Sequence, residues 1–262
     1  MIVTKPSLSV VIVSYNSHQT IESCLRSIFK YTSEVEVIVV DNASRDQTKK
    51  DIRKFGSQVC LIESEQNLGF ARANNLGVKQ THGEFIVFLN PDTRLLHRGS
   101  LEKLRDVLAA NPDFGIIGPR LLCGDGSIQK SVRNLPTLQG AFREYILKQK
   151  NSYDFYLPKC VDLCEVESVV GACMMTRREV FEKVGGFEEK YFLYFEDLEL
   201  CKTMRSLGLK VGFASQVEIE HIMGVSGVNQ ETFSLLQDSA KKYHGLLFYY
   251  LIQTVIRLGR LI

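Results

Sequence analysis

The sequence predicts an α/β fold, a mostly parallel sheet with helices on both faces, and three observations carry the prediction. Short β-branched runs alternate with segments of helical periodicity over about the first third of the chain. The fourth run, Phe85 to Leu89, is apolar throughout, as a strand buried on both faces must be. It runs straight into Asn90-Pro91-Asp92, so the Asp92 carboxylate emerges at the carboxyl edge of the sheet, where open parallel sheets bind ligands.

Element by element, Leu8 to Val13 (LSVVIV) and Val35 to Val40 (VEVIVV) have strand length and composition, and between them Ile21, Cys24, Leu25 and Ile28 recur at helical spacing. A helix is expected near Gln47 to Phe55, a short strand around Val59 to Ile62, and a helix over Ala71 to Lys79 before the strand Phe85 to Leu89. Further on the pattern gives a helix from about Ser100 to Ala110. A Gly- and Pro-punctuated stretch follows from Gly115 to Thr137, and an irregular region runs to about Lys159. A strand at Val166 to Met175, helices at Arg178 to Val184 and Glu196 to Leu207, and a strand at Val217 to Glu220 complete the expectation. No repeat or low-complexity linker interrupts the chain, so residues 1–240 read as one domain and 241–262 as an amphipathic carboxyl-terminal helix.

That last segment, Gly245 to Ile262 (GLLFYYLIQTVIRLGRLI), is nearly apolar throughout, but Gln253, Arg257 and Arg260 recur at i, i+4 and i+7 and line one stripe of a helix, with Lys241 and Lys242 at its start. Such a helix suits the inner-membrane interface; the alternatives are a terminal helix packed on the domain and a homodimer seam. Formal net charge is only +2, with acids and bases intermixed, so nothing argues for a nucleic-acid partner. Seven scattered cysteines make no disulfide framework, and Cys160 and Cys164 lack a second Cys/His pair at zinc-site spacing, so the thiols read as reduced. No signal segment opens the chain, and a cytoplasmic location is expected, peripheral on the membrane if the last helix docks there.

The turn after the first strand, Ser14-Tyr15-Asn16-Ser17, contains no glycine, which excludes the dinucleotide-binding turn; the P-loop pattern is absent as well. A nucleotide-binding sheet without either loop must hold phosphate differently, and a divalent metal on Asp92 is the available means. Asp41 ends the second strand, so its carboxylate points into the ligand crevice or forms an Asx turn with Asn42 and Ser44. Asn67-Leu68-Gly69 places a glycine at a turn into a helix, where backbone amides face anions, and Arg72 carries a fixed charge toward the same place. Glu196-Asp197 opens a helix after Tyr191, Phe192, Tyr194 and Phe195: the acids either cap the helix or, beside an aromatic wall, have a tuned basicity.

Eight motifs stand in order: Val13-Ser14-Tyr15-Asn16, Val40-Asp41-Asn42-Ala43-Ser44, Asn67-Leu68-Gly69-Phe70-Ala71-Arg72-Ala73-Asn74-Asn75, Asn90-Pro91-Asp92, Gly171-Ala172-Cys173, Gly185-Gly186-Phe187, Phe195-Glu196-Asp197, and His221 followed by Gly224 and Ser226. From about Leu8 to Ser226 the chain resembles family 2 of the inverting glycosyltransferases, with the GT-A fold, and in particular its bacterial rhamnosyltransferase-like branch. The resemblance implies that Ser14, Tyr15, Asn16, Asp41, Asn67, Gly69, Arg72, Asn90, Gly171 and Ala172 bind a nucleotide sugar, with Asp41 accepting from a pyrimidine N3–H. It makes Asp92 and His221 ligands of a divalent metal, Mn²⁺ or Mg²⁺, and Asp197 the base, with Glu196 touching acceptor or orienting that base. Asn90 departs from the pattern, because many relatives carry an acid there, and metal affinity should be weaker for it.

The implied reaction is an in-line displacement that moves a hexose, L-rhamnose in the branch resembled, from a dTDP or UDP sugar to a glycan or lipid-linked acceptor of the bacterial cell surface. Gly124 to Thr137 and Tyr153 to Lys159 are the candidate closing loops, and Arg120, Lys130 and Arg133 either assist the phosphates or form a solvated basic face, which explains them equally well. The competing reading is a catalytically silent nucleotide-sugar-binding subunit of a membrane-associated assembly complex. A nucleotidyltransferase is disfavoured by the missing triphosphate loop.

Overall fold

The structure is a computed structural model that describes residues 7–222 and 230–261. Strand β1 (Leu8–Ser14) lies parallel to β2 (Val35–Asp41) in a register that sets Ser14 beside Asp41. β3 (Val59–Glu63) adds outside β2 and β4 (Phe85–Leu89) outside β1, both parallel, giving the order β3-β2-β1-β4. The connections run through α1 (Ile21–Tyr31), α2 (Thr48–Arg53) and α3 (Gly69–Val78). Side chains alternate across β1: Leu8, Val10 and Ile12 pack with Ile21, Cys24, Leu25 and Ile28 of α1 on one face, whereas Val11 joins Val78, Ile86 and Phe88 on the other. The four helical positions expected from periodicity are fully buried, and so is every residue of β4. A charge inside β4 would have no water to reach, so the first carboxylate appears just past its end.

Beyond Asn90 the sheet changes character. β5 (Thr93–Leu95) and α4 (Ser100–Ala110) follow at once, then β6 (Phe114–Leu122), β7 (Val132–Arg133), α5 (Leu138–Ala141) and a π-helical turn at Phe142–Ile146. β8 (Leu163–Val166), β9 (Ser168–Val169), β10 (Cys173–Arg177), α6 (Arg178–Lys183), α7 (Glu196–Ser206) and β11 (Lys210–His221) complete the core. β10 runs antiparallel between β4 and β6, β11 lies parallel to β6, and β5 and β8 flank β11 antiparallel. The parallel half is therefore continued by a mixed half, and β7 with β9 forms a separate ribbon.

Three expectations are corrected here. The Gly- and Pro-punctuated stretch from Gly115 opens inside a strand that the sequence does not predict, the central Phe114–Leu122. Its glycines answer to packing, since a Cβ on Gly118 would lie 2.9 Å from Val169 Cβ, and Pro119 sits where the pairing with β11 shifts register, a place a ladder tolerates it. The run Val166 to Met175 is not one strand but three pieces of strand, broken at Glu167 and at Val170–Ala172. Lys241 and Lys242 do not open the terminal helix; they close α8 (Gln230–His244), and Gly245, at φ +73°, separates it from α9 (Leu246–Leu261).

α9 lays Tyr249, Ile252 and Ile256 on the body, against Ala141 and Tyr153 among others, and its Gly259 meets Tyr145 so closely that a Cβ would fall 2.5 Å from that residue's carbonyl oxygen. Leu247, Tyr250, Leu251 and Leu258 remain exposed. Among the described residues no helix is long and apolar enough to cross a membrane.

Candidate functional site

β11 brings the distant His221 to Asp92. It pairs antiparallel with β5, His221 beside Thr93, and the Ile222 amide donates to the Asp92 carbonyl at 2.9 Å. The side chains converge: His221 Nε2 lies 3.4 Å from Asp92 Oδ1, which is buried and accepts no hydrogen bond. His221 Nδ1 sits 2.9 Å from Gln129 Oε1; with that nitrogen donating, Nε2 keeps its lone pair for a cation. An orphaned carboxylate oxygen facing an imidazole nitrogen fits a divalent metal, which would offset the cost of the unpaired oxygen. Among the described residues no third His, Cys, Asp or Glu joins the pair. Cys24 donates to the Asn90 carbonyl at 3.7 Å, and burial pushes its thiol up to about 12. Gly224 and Ser226 lie outside the described residues.

The break Val170–Ala172 ties this corner to the acidic pair. The Asn90 amide donates to the Ala172 carbonyl at 2.9 Å, and the Gly171 amide donates to Asp197 Oδ2 at 3.0 Å. Asp197 Oδ1 accepts from the Leu198 amide at 2.8 Å. Burial raises the Asp197 pKa, against the two amides and the charge of Arg133, which favour the ionised form. Glu196 is more enclosed, 5 % exposed, with Oε2 unbonded; burial, then the neighbouring Asp197, push its pKa well up. Burial therefore favours the neutral form most strongly at Glu196, whereas the two amides and Arg133 favour charge on Asp197. Glu196 lies beside Asp197 and is nearly covered, a place from which an orienting part needs no movement. Tyr194 and Phe195, just before the acids, both have left-handed backbones, φ 68° and 71°, a costly conformation for bulky residues and one that aims the start of α7.

Around the end of β2, Asp41 is fully buried: Oδ1 accepts from the Ser44 amide at 3.0 Å and Oδ2 from the Ser14 hydroxyl at 3.2 Å, so the Asx-turn alternative is realised. Tyr15 is 49 % exposed, and Asn16, at φ 50°, spends Oδ1 on the Arg45 amide. The amides at the start of α3 do not face an anion, contrary to expectation. Leu68 N–H donates to Asn42 Oδ1, Gly69 N–H to Asn67 Oδ1 and Phe70 N–H to the Phe192 carbonyl. Arg72 pairs with Glu189 at 3.2 Å, and Arg120 with Glu218 at 3.2 Å. Sequence reasoning missed Gln129, Glu189 and the locking of Phe192 onto Gly69, because each acts through a partner remote in the chain and none belongs to a local pattern.

The chain belongs to glycosyl transferase family 2: the family model matches residues 9–185. The N-acetylglucosaminyl-diphospho-decaprenol L-rhamnosyltransferase of Mycobacterium tuberculosis is 28% identical over 232 residues, covering 82% of this chain and 75% of that one. The low-salt glycan biosynthesis hexosyltransferase Agl10 of Haloferax volcanii is 27% identical over 233 residues, covering 82% and 66%. The rhamnosyltransferase WbbL of Escherichia coli K12 is 24% identical over 223 residues, covering 81% and 82%. Among solved structures, the mannosyltransferase PcManGT of Pyrobaculum calidifontis in complex with GDP-Man and Mn²⁺ superposes with a TM-score of 0.61 at 17% identity, covering 99% of this chain and 76% of that one. S. aureus TarS in complex with UDP gives 0.59 at 20%, covering 98% and 71%. The fold is GT-A, as the sequence predicts.

Proposed function

We propose that this chain transfers a hexose from a nucleoside diphosphate sugar to a hydroxyl acceptor, with inversion at the anomeric carbon. The observation that carries the reading is the convergence of Asp92, His221 and Asp197, from three segments far apart in sequence, around the Gly171–Ala172 link. Asp197, partly exposed at the start of α7, takes the proton of the acceptor hydroxyl. Asp92 and His221 would hold Mn²⁺ or Mg²⁺, imidazole suiting the former better, and a bound ion supplies neutralisation of the leaving diphosphate. Two protein ligands leave room for donor phosphates and water, and Asn90 adds a carbonyl without charge. Asp41 and Tyr15 are proposed to meet a pyrimidine, the first by hydrogen bond and the second by stacking. Arg72 reaches phosphate by leaving Glu189, an exposed pair that costs only about 0–1 kcal/mol to break.

The rhamnosyltransferase relatives favour dTDP-L-rhamnose as donor and a lipid-linked glycan as acceptor. The exposed Leu247, Tyr250, Leu251 and Leu258, with Arg257 and Arg260 beside them, support peripheral docking of α9 on an anionic membrane face. Flotation with anionic vesicles is expected to be lost in Leu247→Glu with Leu258→Glu; unchanged flotation refutes the docking, and a fall in mass from dimer to monomer would instead mark a homodimer seam.

The chemical test is incubation with dTDP-L-rhamnose or UDP sugars, Mn²⁺ and a hydroxyl acceptor, reading product anomeric configuration by NMR. Asp197→Asn is expected to lower kcat about 10²–10⁴-fold with nucleotide affinity intact. Turnover unchanged in that variant removes Asp197 from the reaction, and turnover unchanged by EDTA removes the metal.

A further inference from the structure

Arg133 ends β7, which pairs with β9 at Ser168, and β9 packs on α7, the helix of Asp197. Its guanidinium lies over the rings of Tyr153 and Phe155, 4.7 and 5.4 Å from their centroids, and Nε donates to the Tyr153 carbonyl at 2.8 Å. No carboxylate among the described residues pairs with it. The acids nearest its surroundings are otherwise engaged: Asp197 by the amides of Gly171 and Leu198, Glu199 by the Tyr191 hydroxyl, Glu167 by the Leu135 amide. The same corner holds His244, at the end of α8: its ring stands 5.9 Å from that of Phe195, two residues before Asp197, and Leu135, two residues past Arg133, packs on the same cluster with Phe195 and Tyr243. The His244 Nε2 is buried without a partner, and burial, Arg133 and Lys202 together push the imidazole down to about 4, so it stays neutral near pH 7.

A guanidinium that lacks a counter-ion beside an imidazole nitrogen that lacks a partner is unfavourable alone and favourable around an anion. Packing against Tyr153 explains the stem of Arg133 but not its unpaired charge or the empty bonding capacity of His244. Gln129, which meets His221, stands four positions before Arg133 in the chain, and Arg133 itself lies on the ribbon of β7 and β9 that packs on α7. An in-line displacement sets the leaving diphosphate and the base on opposite sides of the reacting carbon, so an anion gathered at the base enters with the acceptor. Directly after His244, the first turns of α9 expose Leu246, Leu247 and Tyr250, an apolar continuation of the same surface.

Resting on the transfer reading above, we propose that Arg133 and His244 hold the phosphate of a lipid-linked acceptor beside Asp197, with the lipid leading onto the first turns of α9. The test uses the full chain in EDTA, so that the donor's metal is absent, and measures binding of farnesyl diphosphate, inorganic diphosphate and farnesol by calorimetry. UDP and dTDP are measured separately with Mn²⁺. Farnesyl diphosphate is expected to bind at least about tenfold tighter than either fragment, and Arg133→Met, which keeps an apolar stem over Tyr153, to weaken it about tenfold or more. Arg133→Lys should recover part of the loss, nucleotide affinity should not change, and the His244 pKa, followed by NMR, should rise on binding. The proposal is overturned if Arg133→Met, folded by its Tm, binds farnesyl diphosphate like the wild type, if it loses nucleotide to the same degree, if inorganic diphosphate binds as tightly as the lipid, or if His244 does not respond. A wild-type protein that transfers no sugar would defeat the proposed function while leaving these binding results as they stand.

Discussion

Replacing Gly69 by alanine tests whether the segment that presents the acidic pair is locked against the start of α3. Gly69 has φ +78°, and a Cβ there would lie 2.3 Å from the Phe192 carbonyl oxygen and 2.9 Å from its ring. The left-handed backbone alone costs alanine about 1–2 kcal/mol. That oxygen cannot retreat without losing its bond from the Phe70 amide, 2.8 Å long, worth another ~1 kcal/mol. The sum, about 2–3 kcal/mol, corresponds to a drop in Tm of roughly 4–12 °C for a chain of this size. Gly171→Ala is the control: its Cβ would meet nothing closer than Phe70 Cζ at 3.5 Å, ordinary contact, and stability should stay within about 0.5 kcal/mol of wild type. Urea denaturation followed by circular dichroism reads both. Because Phe192 leads through Tyr194 and Phe195 into Asp197, Gly69→Ala should also depress kcat. A Gly69→Ala protein within about 0.5 kcal/mol of wild type, or a Gly171→Ala protein that falls as far, would refute the reasoning.

Two further outcomes follow from the site. Gln129→Ala leaves His221 free to turn and should weaken Mn²⁺-dependent nucleotide binding about 10–100-fold, while nucleotide binding without metal is unchanged; equal loss in both conditions would show that Gln129 serves folding rather than the metal corner. Glu196→Gln isolates the raised carboxyl. A group whose pKa is higher folded than unfolded lends stability that is complete below its unfolded value, near 4.5, and is lost as pH rises through the folded one. The variant should therefore match the wild type in Tm at low pH and exceed it at pH 8, and a gap that does not grow with pH would place the proton elsewhere.

The parallel half of the fold was legible because its signals are local. Strand runs such as Val35 to Val40 and the helical spacing of Ile21, Cys24, Leu25 and Ile28 arise within a few residues of chain, and burial follows them. In the mixed half the helices α4, α6 and α7 were legible for the same reason, but β6 was not, because it is a strand by virtue of its neighbours: Gly118 makes room for Val169 and Pro119 falls at a register shift, features that read locally as turn. The break at Val170–Ala172 hid inside an apolar run for the same reason, since only the Asn90 amide and the Asp197 carboxylate show why the backbone must leave the ladder there. The places of Asp92 just past β4, of Asp197 at the start of α7 and of His221 at the end of β11 were readable from the elements that carry them. The partner of His221, Gln129, 92 residues away, had no sequence signal.

The link through Gly171 and Ala172 bears on how the two halves of the site move. One peptide group to each side, it bonds the segment of Asp92 and the carboxylate of Asp197, so the Asp92–His221 corner and Asp197 ride on one short piece of backbone between β9 and β10. β10 is hydrogen-bonded between β4 and β6 in the centre of the sheet, the part of the molecule that opens last. Closure over a bound sugar must then come from elements outside that frame. The ribbon of β7 and the segment Tyr153 to Phe155 carry Arg133 and its stacking rings, and α8 with α9 rests on Phe195 and Leu198. Under the proposed function, such a fixed pair of corners would let one sheet keep donor geometry constant while the docking of an acceptor against the outer elements sets when Asp197 is enclosed.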